Sequence, residues 1–155
     1  GSQGSDRTRE RSPIGAAWRH RIKVEGATSA PTDATVILVG TSVWIDHLRT
    51  GNRQLADFLE AGQVLAHPFV TGEIALGRLR QRDLVLNALL DLPQATVATD
   101  EEVRHFIDWH ALFGAGIGYV DAHLLAAMRL TATAALWTRD KRLHVVADRL
   151  GLAMA

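Results

Sequence analysis

The stretch of residues 36–49 constrains the fold of this chain more than any other. It begins with four apolar residues (VILV, residues 36–39), which predict a buried strand. Gly40 ends this run, and the apolar residues after it predict a helix with Thr41 or Ser42 as its N-terminal cap. A strand that turns directly into a helix is typical of α/β proteins, whose sites open at the carboxyl ends of the strands.

The rest of the chain alternates predicted helices with short apolar strands. Helices are predicted over residues 53–60, from Pro68, over 84–92, from a capping box at Thr99 to His110, over 120–130 and from Asp140. Strands are predicted at residues 64–65, 95–98, 134–138 and 152–154. This pattern predicts one α/β domain over residues 36–155, with three layers and a mainly parallel sheet of four to five strands flanked by helices.

Composition removes several classes of function. The chain has no cysteine, which excludes disulfides and thiolate chemistry. Its formal net charge is zero, which gives no support for indiscriminate binding of nucleic acid. No apolar run approaches the roughly 20 residues that a membrane-spanning helix needs. These features fit a cytoplasmic location.

Residues 1–35 differ in composition from the rest and predict a leader. Gly1 and Ser2 are typical of a cloning scar, and the segment is rich in small and polar residues. Trp18, Arg19 and Arg21 lie in a short apolar and basic island within it. Two interpretations stay open, a linker-like leader without a fold of its own and a docking peptide for an acidic groove.

Three carboxylates lie where a purely structural chain favours other residues. Glu73 and Asp121 share predicted helix faces with apolar side chains, and Asp140 follows the predicted strand at residues 134–138. A carboxylate on an apolar face is costly unless it is paired or binds a metal ion. Each also has a structural explanation, either pairing with Arg78 or Arg80, or a favourable place in the first turn of a helix.

The three acids together point to a metal site at the edge of the sheet. Clustered carboxylates repel each other, and a divalent cation relieves this repulsion. Mg²⁺ and Mn²⁺ prefer oxygen ligands and retain water, which suits hydrolysis of a phosphodiester. The chain contains no His-Glu-x-x-His zinc motif and no P-loop sequence, so the competing predictions are weaker.

Four segments resemble PIN-domain ribonucleases, and specifically the VapC-type toxins of toxin–antitoxin pairs. They are ILVGTSVWIDHLR at residues 37–49, GEIALG at 72–77, GYVDAHLLAA at 118–127 and LWTRDKRL at 136–143. The resemblance spans residues 36–155 and leaves the leader uncovered.

The resemblance implies a metal-dependent endoribonuclease that leaves a 5′-phosphate and a 3′-hydroxyl. Its acidic metal centre maps onto Glu73, Asp121 and Asp140, with Thr138 as a hydroxyl residue beside it. The resemblance also implies Mg²⁺ or Mn²⁺ as cofactor, a homodimer and inhibition by a VapB-type antitoxin. Basic residues next to these acids are candidates for RNA contacts, namely Arg139, Lys141 and Arg142.

Gly40 departs from the family pattern, since it stands where the first metal-binding Asp is expected. Glycine has no ligand atom, so we expect weakened metal binding and little activity in this chain. An engineered substitution is the favoured origin of Gly40, and natural loss is the alternative.

A non-catalytic module that binds an antitoxin or RNA is the alternative function. If residues 1–35 derive from an antitoxin, Arg19 or Arg21 would neutralise the acidic site.

Overall fold

A computed structural model describes residues 35–155, and a parallel sheet lies at the centre of this part of the chain. Strand β1 (Val36–Val39) is the middle strand, with β2 (Val64–Leu65) on one side and β3 (Ala134–Trp137) on the other. Leu38 in the middle strand pairs with Leu65 of β2 on one side and with Leu136 of β3 on the other. After β1 the chain crosses to β2 on one side, and it later forms β3 on the other side of β1. Such a reversal of strand order opens a crevice at the carboxyl ends of the two strands on either side of it, here β1 and β3.

Single parallel bridges extend the sheet at both edges. Ala66 pairs with Gln94 beyond β2, and Leu136 pairs with Ala153 beyond β3. Each bridge has two backbone hydrogen bonds, of which the Leu136 N–H to the Leu152 carbonyl is 2.7 Å long. The predicted α/β class with a parallel sheet is therefore confirmed, although the predicted outer strands are reduced to these bridges.

Seven helices flank the sheet in the described residues. They are α1 (Thr41–Thr50), α2 (Arg53–Glu60), α3 (Pro68–Ala75), α4 (Arg82–Asp91), α5 (Asp100–Trp109), α6 (Tyr119–Leu130) and α7 (Lys141–Arg149). The predicted helices are confirmed, with ends that differ by one or two residues. The crossovers between parallel strands require such helices, because a short turn cannot join two parallel strands.

The helix caps confirm one prediction and correct another. At α5, the Thr99 hydroxyl accepts from the Glu102 N–H at 3.1 Å and the Glu102 carboxylate accepts from the Thr99 N–H at 2.9 Å, as the capping box predicts. At α1, neither Thr41 nor Ser42 is the cap. Gly40 occupies that position without a side-chain hydrogen bond, and Thr41 is already the first helical residue.

The core lies between the sheet and helix α6. Leu38 and Val39 of β1 are fully buried, and eight of the twelve residues of α6 are buried. Helix α6 packs against β3 and α5, so its first turn is held beside the carboxyl end of β3. The position of Asp121, which lies in that turn, is therefore set by the best-packed helix of the domain.

Two further sequence predictions concern the leader and membrane-spanning helices. The leader candidates Trp18, Arg19 and Arg21 lie outside the described residues. Within residues 35–155, no helix combines the length and apolar character needed to cross a bilayer.

Candidate active site

A cleft of about 390 Å³ opens at the carboxyl ends of β1 and β3. Four segments form its walls: the turn from β1 into α1, the end of α3, the first half of α6, and the segment from the end of β3 into α7. The lining residues are Gly40, Thr41, Ser42, Glu73, Asp121, Leu124, Thr138, Arg139, Asp140 and Leu143. All five residues that the sequence analysis assigned to the metal centre line this one cleft.

Gly40 lies at the floor of the cleft and is buried. Its N–H donates to the Trp137 carbonyl at 2.8 Å, which joins the end of β1 to the end of β3. Its φ of −70° and ψ of 161° are ordinary for any L-residue, so the backbone does not require glycine here. A Cβ at this position would lie 3.2 Å from the Trp137 carbonyl oxygen and 3.8 Å from Thr138 Cβ. A side chain here therefore requires the Trp137 carbonyl to move by a few tenths of an ångström.

Glu73 lies near the end of α3 and is exposed, whereas Val70 and Ile74, which the sequence places on the same helix face, are buried. Its Oε1 accepts a hydrogen bond from the Thr41 hydroxyl at 3.2 Å. Within residues 35–155 it forms no ion pair with Arg78 or Arg80, which removes the structural explanation offered from the sequence. The carboxylate is thus oriented by the hydroxyl of another residue that lines the cleft.

Asp121 is the acid whose environment is most unusual. It is half-buried in the first turn of α6, and Leu124 and Leu125 of the same helix are buried, as the sequence pattern predicted. Burial raises the pKa of its carboxyl, and the negative charge of Asp140 raises it further. The Gly118 N–H, which donates to Oδ2 at 3.2 Å, opposes this rise of the pKa.

Asp140 and Thr138 form the wall that follows β3. Asp140 is exposed and caps α7, because its Oδ1 accepts from the Leu143 N–H at 3.0 Å. The Thr138 hydroxyl accepts from the Asp140 N–H at 3.1 Å and so fixes the backbone that carries this acid. The predictions that Asp140 begins a helix and follows a strand are therefore both confirmed.

The basic candidates occupy different surroundings. Arg139 lines the cleft, where its guanidinium forms an ion pair with Asp46 of α1. A contact between Arg139 and RNA would have to compete with Asp46. Lys141 and Arg142 lie in the first turn of α7 and line an adjacent groove instead of the cleft.

The donor set fits a divalent cation. Within residues 35–155, no three Asp, Glu or His side chains are close enough to hold an ion as they stand. Mg²⁺ usually takes only one or two protein carboxylates and keeps several waters, so such a group is not required. Asp121 and Asp140 interact electrostatically, and their mutual repulsion is what a cation would relieve. The two side chains, with Glu73 of the same cleft, therefore offer oxygen ligands of the kind that Mg²⁺ prefers.

Sequence reasoning missed the role of Thr41 and the presence of Asp46 at the rim. Thr41 was considered only as a cap, whereas its hydroxyl orients Glu73. The available signal was its place directly after the central strand, since residues there border the crevice. No sequence signal joins Asp46 to Arg139, because 93 positions separate them.

Comparison with known proteins agrees with this geometry. Residues 37–149 match the model of the PIN domain. The chain belongs to the PIN-domain family. The match covers every element that contributes to the cleft and confirms the resemblance drawn from the four sequence segments. PIN-domain nucleases are generally dependent on a divalent metal ion.

Two curated relatives extend the comparison. Both are named Ribonuclease VapC32, from two strains of Mycobacterium tuberculosis, and each is 45% identical to this chain over 120 residues. The aligned region is 77% of this chain and 97% of either relative. The predicted likeness of this PIN domain to VapC-type toxins is confirmed by these matches. No solved structure matches the chain significantly.

Proposed function

We propose that this PIN domain is the toxin of a VapBC-type pair and that its cleft is built for metal-dependent hydrolysis of RNA phosphodiesters. One observation carries the proposal. Glu73, Asp121 and Asp140 are scattered along the sequence, yet they line a single cleft beside the central strand. The high identity to proteins named as VapC ribonucleases supports RNA as the substrate.

The residues of the cleft divide the work of this reaction. Asp121, Asp140 and Glu73 would hold the cation, Mg²⁺ or Mn²⁺. When bound, the cation supplies an activated water and neutralises charge on the scissile phosphate. Thr138 keeps Asp140 in place through its backbone hydrogen bond, and Thr41 does the same for the Glu73 carboxylate. Hydrolysis adds water across the P–O3′ bond, which leaves a 5′-phosphate and a 3′-hydroxyl.

We infer that Gly40 impairs this reaction in the present chain. The position lies between the ends of β1 and β3 and contributes only backbone atoms to the cleft. A carboxylate there would add a fourth acid beside Thr138, where the family pattern has its first metal-binding Asp. Without it, cation binding rests on fewer ligands and is weaker.

The variant Gly40→Asp tests this proposal. We expect cleavage of a labelled single-stranded RNA to rise by about 100-fold or more in Mg²⁺ or Mn²⁺ and to disappear in EDTA. The backbone angles of Gly40 accept an L-residue, and thermal melting of the variant checks that the Trp137 carbonyl accommodates the added Cβ. Gly40→Asn is the matched control, since it has the same size without the charge, and it should stay inactive.

The chemistry of the products decides the outcome. Fragments with 5′-phosphate and 3′-hydroxyl ends support the proposal. If Gly40→Asp binds the cation in a calorimetric titration and yet cuts no RNA, the nuclease assignment is wrong for this chain.

A non-catalytic binding module is the second candidate, and Gly40 is the observation that favours it. In that case the unaltered chain would bind single-stranded RNA or an antitoxin without any cation. Calorimetry with Mg²⁺ separates the two candidates. Tight binding restored by Gly40→Asp indicates a single lesion in an enzyme, whereas equal and weak binding by both proteins indicates a binding module.

The partners of the proposal follow from the VapC-type relatives. We propose a VapB-type antitoxin, a homodimer and a cytoplasmic location for this chain. The leader of residues 1–35 stays a candidate docking segment through Trp18, Arg19 and Arg21. Light scattering of the purified chain, alone and with its antitoxin, measures both the dimer and the complex.

A further inference from the structure

A second groove, of about 380 Å³, lies next to the acid cleft. Three cationic side chains, Lys141, Arg142 and Arg149, line it together with three apolar residues, Ala115, Val145 and Val146. No lining residue is acidic, and Val145 is 66% exposed although it is apolar. The groove thus combines positive charge with an apolar surface open to solvent.

Two of these cations are held in place by the backbone around them. Arg149 donates to the His110 carbonyl at 3.0 Å, which keeps its guanidinium at the groove. The side chain of Arg142 lies against Gly116, where an added Cβ would be only 3.0 Å from its Cδ and Nη1 atoms. Within residues 35–155, neither arginine forms an ion pair with a carboxylate. Their positive charges therefore face the groove without an acidic counterpart.

The groove and the cleft lie on either side of the start of helix α7. Asp140 and Leu143 line the cleft, whereas Lys141 and Arg142 line the groove, so the first turn of α7 separates the two. Lys141 and Arg149 are eight residues apart, which is about 12 Å along the helix axis. A polymer that lies in the cleft would pass this row of cations as it leaves.

We propose that this groove binds the single-stranded RNA that flanks the scissile phosphate, with Lys141, Arg142 and Arg149 on its phosphates and Val145 with Ala115 under a base. This inference rests on the proposed function of the cleft and adds the path that the substrate follows. Proteins that bind single strands use a positively charged groove that follows the backbone, together with aromatic side chains on which bases stack. This groove has the cations, and the apolar surface of Val145 and Ala115 takes the place of an aromatic side chain.

The groove favours RNA over an acidic peptide because of its position. A nucleic acid whose phosphodiester lies at the acids must place its neighbouring phosphates within a few ångströms of the cleft, and α7 offers cations there. These phosphates also need the cations most, since the carboxylates of the cleft repel them. An acidic peptide gains nothing from the adjoining acids.

Binding in EDTA tests the charged part of the groove. We expect Arg149→Gln to weaken the binding of a fluorescent single-stranded RNA several-fold and to lower the slope of log affinity against log salt by about 0.7. The double variant Arg142→Gln with Arg149→Gln should lower the slope by about twice that amount. Arg53→Gln is the matched control, because Arg53 is equally a surface arginine and lines neither cavity.

A second pair of variants tests whether RNA occupies the groove, without removing any hydrogen bond. Val145→Glu places a negative charge in the groove and should weaken RNA binding several-fold. Leu90→Glu is its control, since Leu90 is 62% exposed on α4 and lines neither cavity. Thermal melting checks that each variant folds.

The outcomes separate this inference from the proposed function. If Gly40→Asp cleaves RNA but Arg149→Gln and Val145→Glu bind RNA like their controls, the groove assignment is wrong and the nuclease assignment stands. If no variant cleaves RNA but binding falls as expected, the groove assignment stands alone. If Arg149→Gln weakens binding of a polyglutamate peptide and leaves RNA binding unchanged, an acidic partner occupies the groove and the inference is overturned.

Discussion

Helix α6 carries an acidic residue on one face and two hydrogen-bond donors on the opposite face. Asp121 faces the acid cleft. Tyr119 and His123, two residues before and after it, face Asp100 at the start of α5. Both hydrogen bonds end on one oxygen of Asp100, from the Tyr119 hydroxyl at 3.0 Å and from His123 Nε2 at 3.1 Å. We call these three residues the Asp100 network. One helix thus presents a carboxylate on one face and donors for another carboxylate on the other.

The two carboxylates respond to these surroundings in opposite directions. The hydrogen bond from Tyr119 lowers the pKa of Asp100, and the one from His123 lowers it further. Burial and the charge of Asp140 raise the pKa of Asp121. The protein therefore satisfies the charge of Asp100 with its own donors, whereas Asp121 lacks a comparable set. A structural acid and a candidate ligand are distinguished by this difference and not by their place in the sequence.

The Asp100 network continues into the core through aromatic contacts. Phe69 packs between His123, at a ring distance of 4.5 Å, and His67, at 5.2 Å. His67 is fully buried, and its Nδ1 accepts from the Phe69 N–H as the cap of α3. Burial lowers the pKa of His67 to about 4, so its ring is neutral at physiological pH.

Substitution by Asn at Asp121 and at Asp100 should give the largest difference between the two regions. In the Gly40→Asp background, Asp121→Asn should reduce RNA cleavage by about 100-fold or more, because a cation ligand is lost. Without metal ion it should not lower the melting temperature, since it removes a repelled charge. Asp100→Asn should do the reverse, with a lower melting temperature and most of the activity retained.

Cleavage rates and thermal melting in EDTA measure both effects. Equal losses of stability at the two positions would contradict the distinction. A large loss of activity in Asp100→Asn at an unchanged melting temperature would show that the Asp100 network serves the reaction directly.

Acidification should destabilise the region around His67 and not the cleft. The folded-state pKa of about 4 lies below the value of 6.5 expected for the unfolded chain. The unfolded state therefore binds the additional proton between these values, and stability falls as the pH is lowered from 6.5 toward 4. His67 should account for up to about 3 kcal/mol of this loss.

Urea unfolding at several pH values measures this contribution. His67→Asn is the test variant, because Asn still accepts the hydrogen bond that caps α3 and does not titrate. The variant should be less stable near pH 7 and should lose less stability on acidification. An identical pH dependence in both proteins would contradict the neutral, buried state of His67.

Metal ions should stabilise the protein through the cleft alone. For Gly40→Asp at a Mg²⁺ concentration of about 100 times the dissociation constant, we expect about 2.7 kcal/mol of additional stability, reversible by EDTA. Asp121→Asn in the same background should abolish this gain, whereas Asp100→Asn should preserve it. A gain that survives Asp121→Asn would place the cation elsewhere.

The sequence predicted the elements that depend on local patterns. The strand at residues 36–39 and the capping box at Thr99 follow from neighbouring residues, so both are confirmed. Glu73, Asp121 and Asp140 line one cleft, but only Asp140 follows a strand, so the rule for strand ends accounts for this acid alone. Asp121 is half-buried and Glu73 is exposed, because helical spacing indicates which residues share a face and not how far other elements cover it.

Contacts between distant segments could not be predicted in the same way. Thr41 meets Glu73 across 32 positions, and Asp100 meets His123 across 23. Each pairing depends on how helices pack around the sheet, and a single sequence does not record this packing. The same limit applies to Gly40, whose neighbour Trp137 is known only once β1 and β3 are adjacent.

The ion pair between Asp46 and Arg139 should have the smallest effect of those considered. Both side chains are nearly half exposed, at 47% and 46%, so solvent screens their attraction. A double-mutant cycle with Asp46→Ala and Arg139→Ala should give a coupling energy of about 0.2–1 kcal/mol that falls further at high salt.

Unlike the Asp100 network, this pair includes a residue of the cleft, Arg139, which can exchange Asp46 for an RNA phosphate at little cost. Asp46→Ala should therefore release Arg139 and strengthen RNA binding in EDTA. Unchanged or weaker binding would show that Asp46 is not a competitor for Arg139.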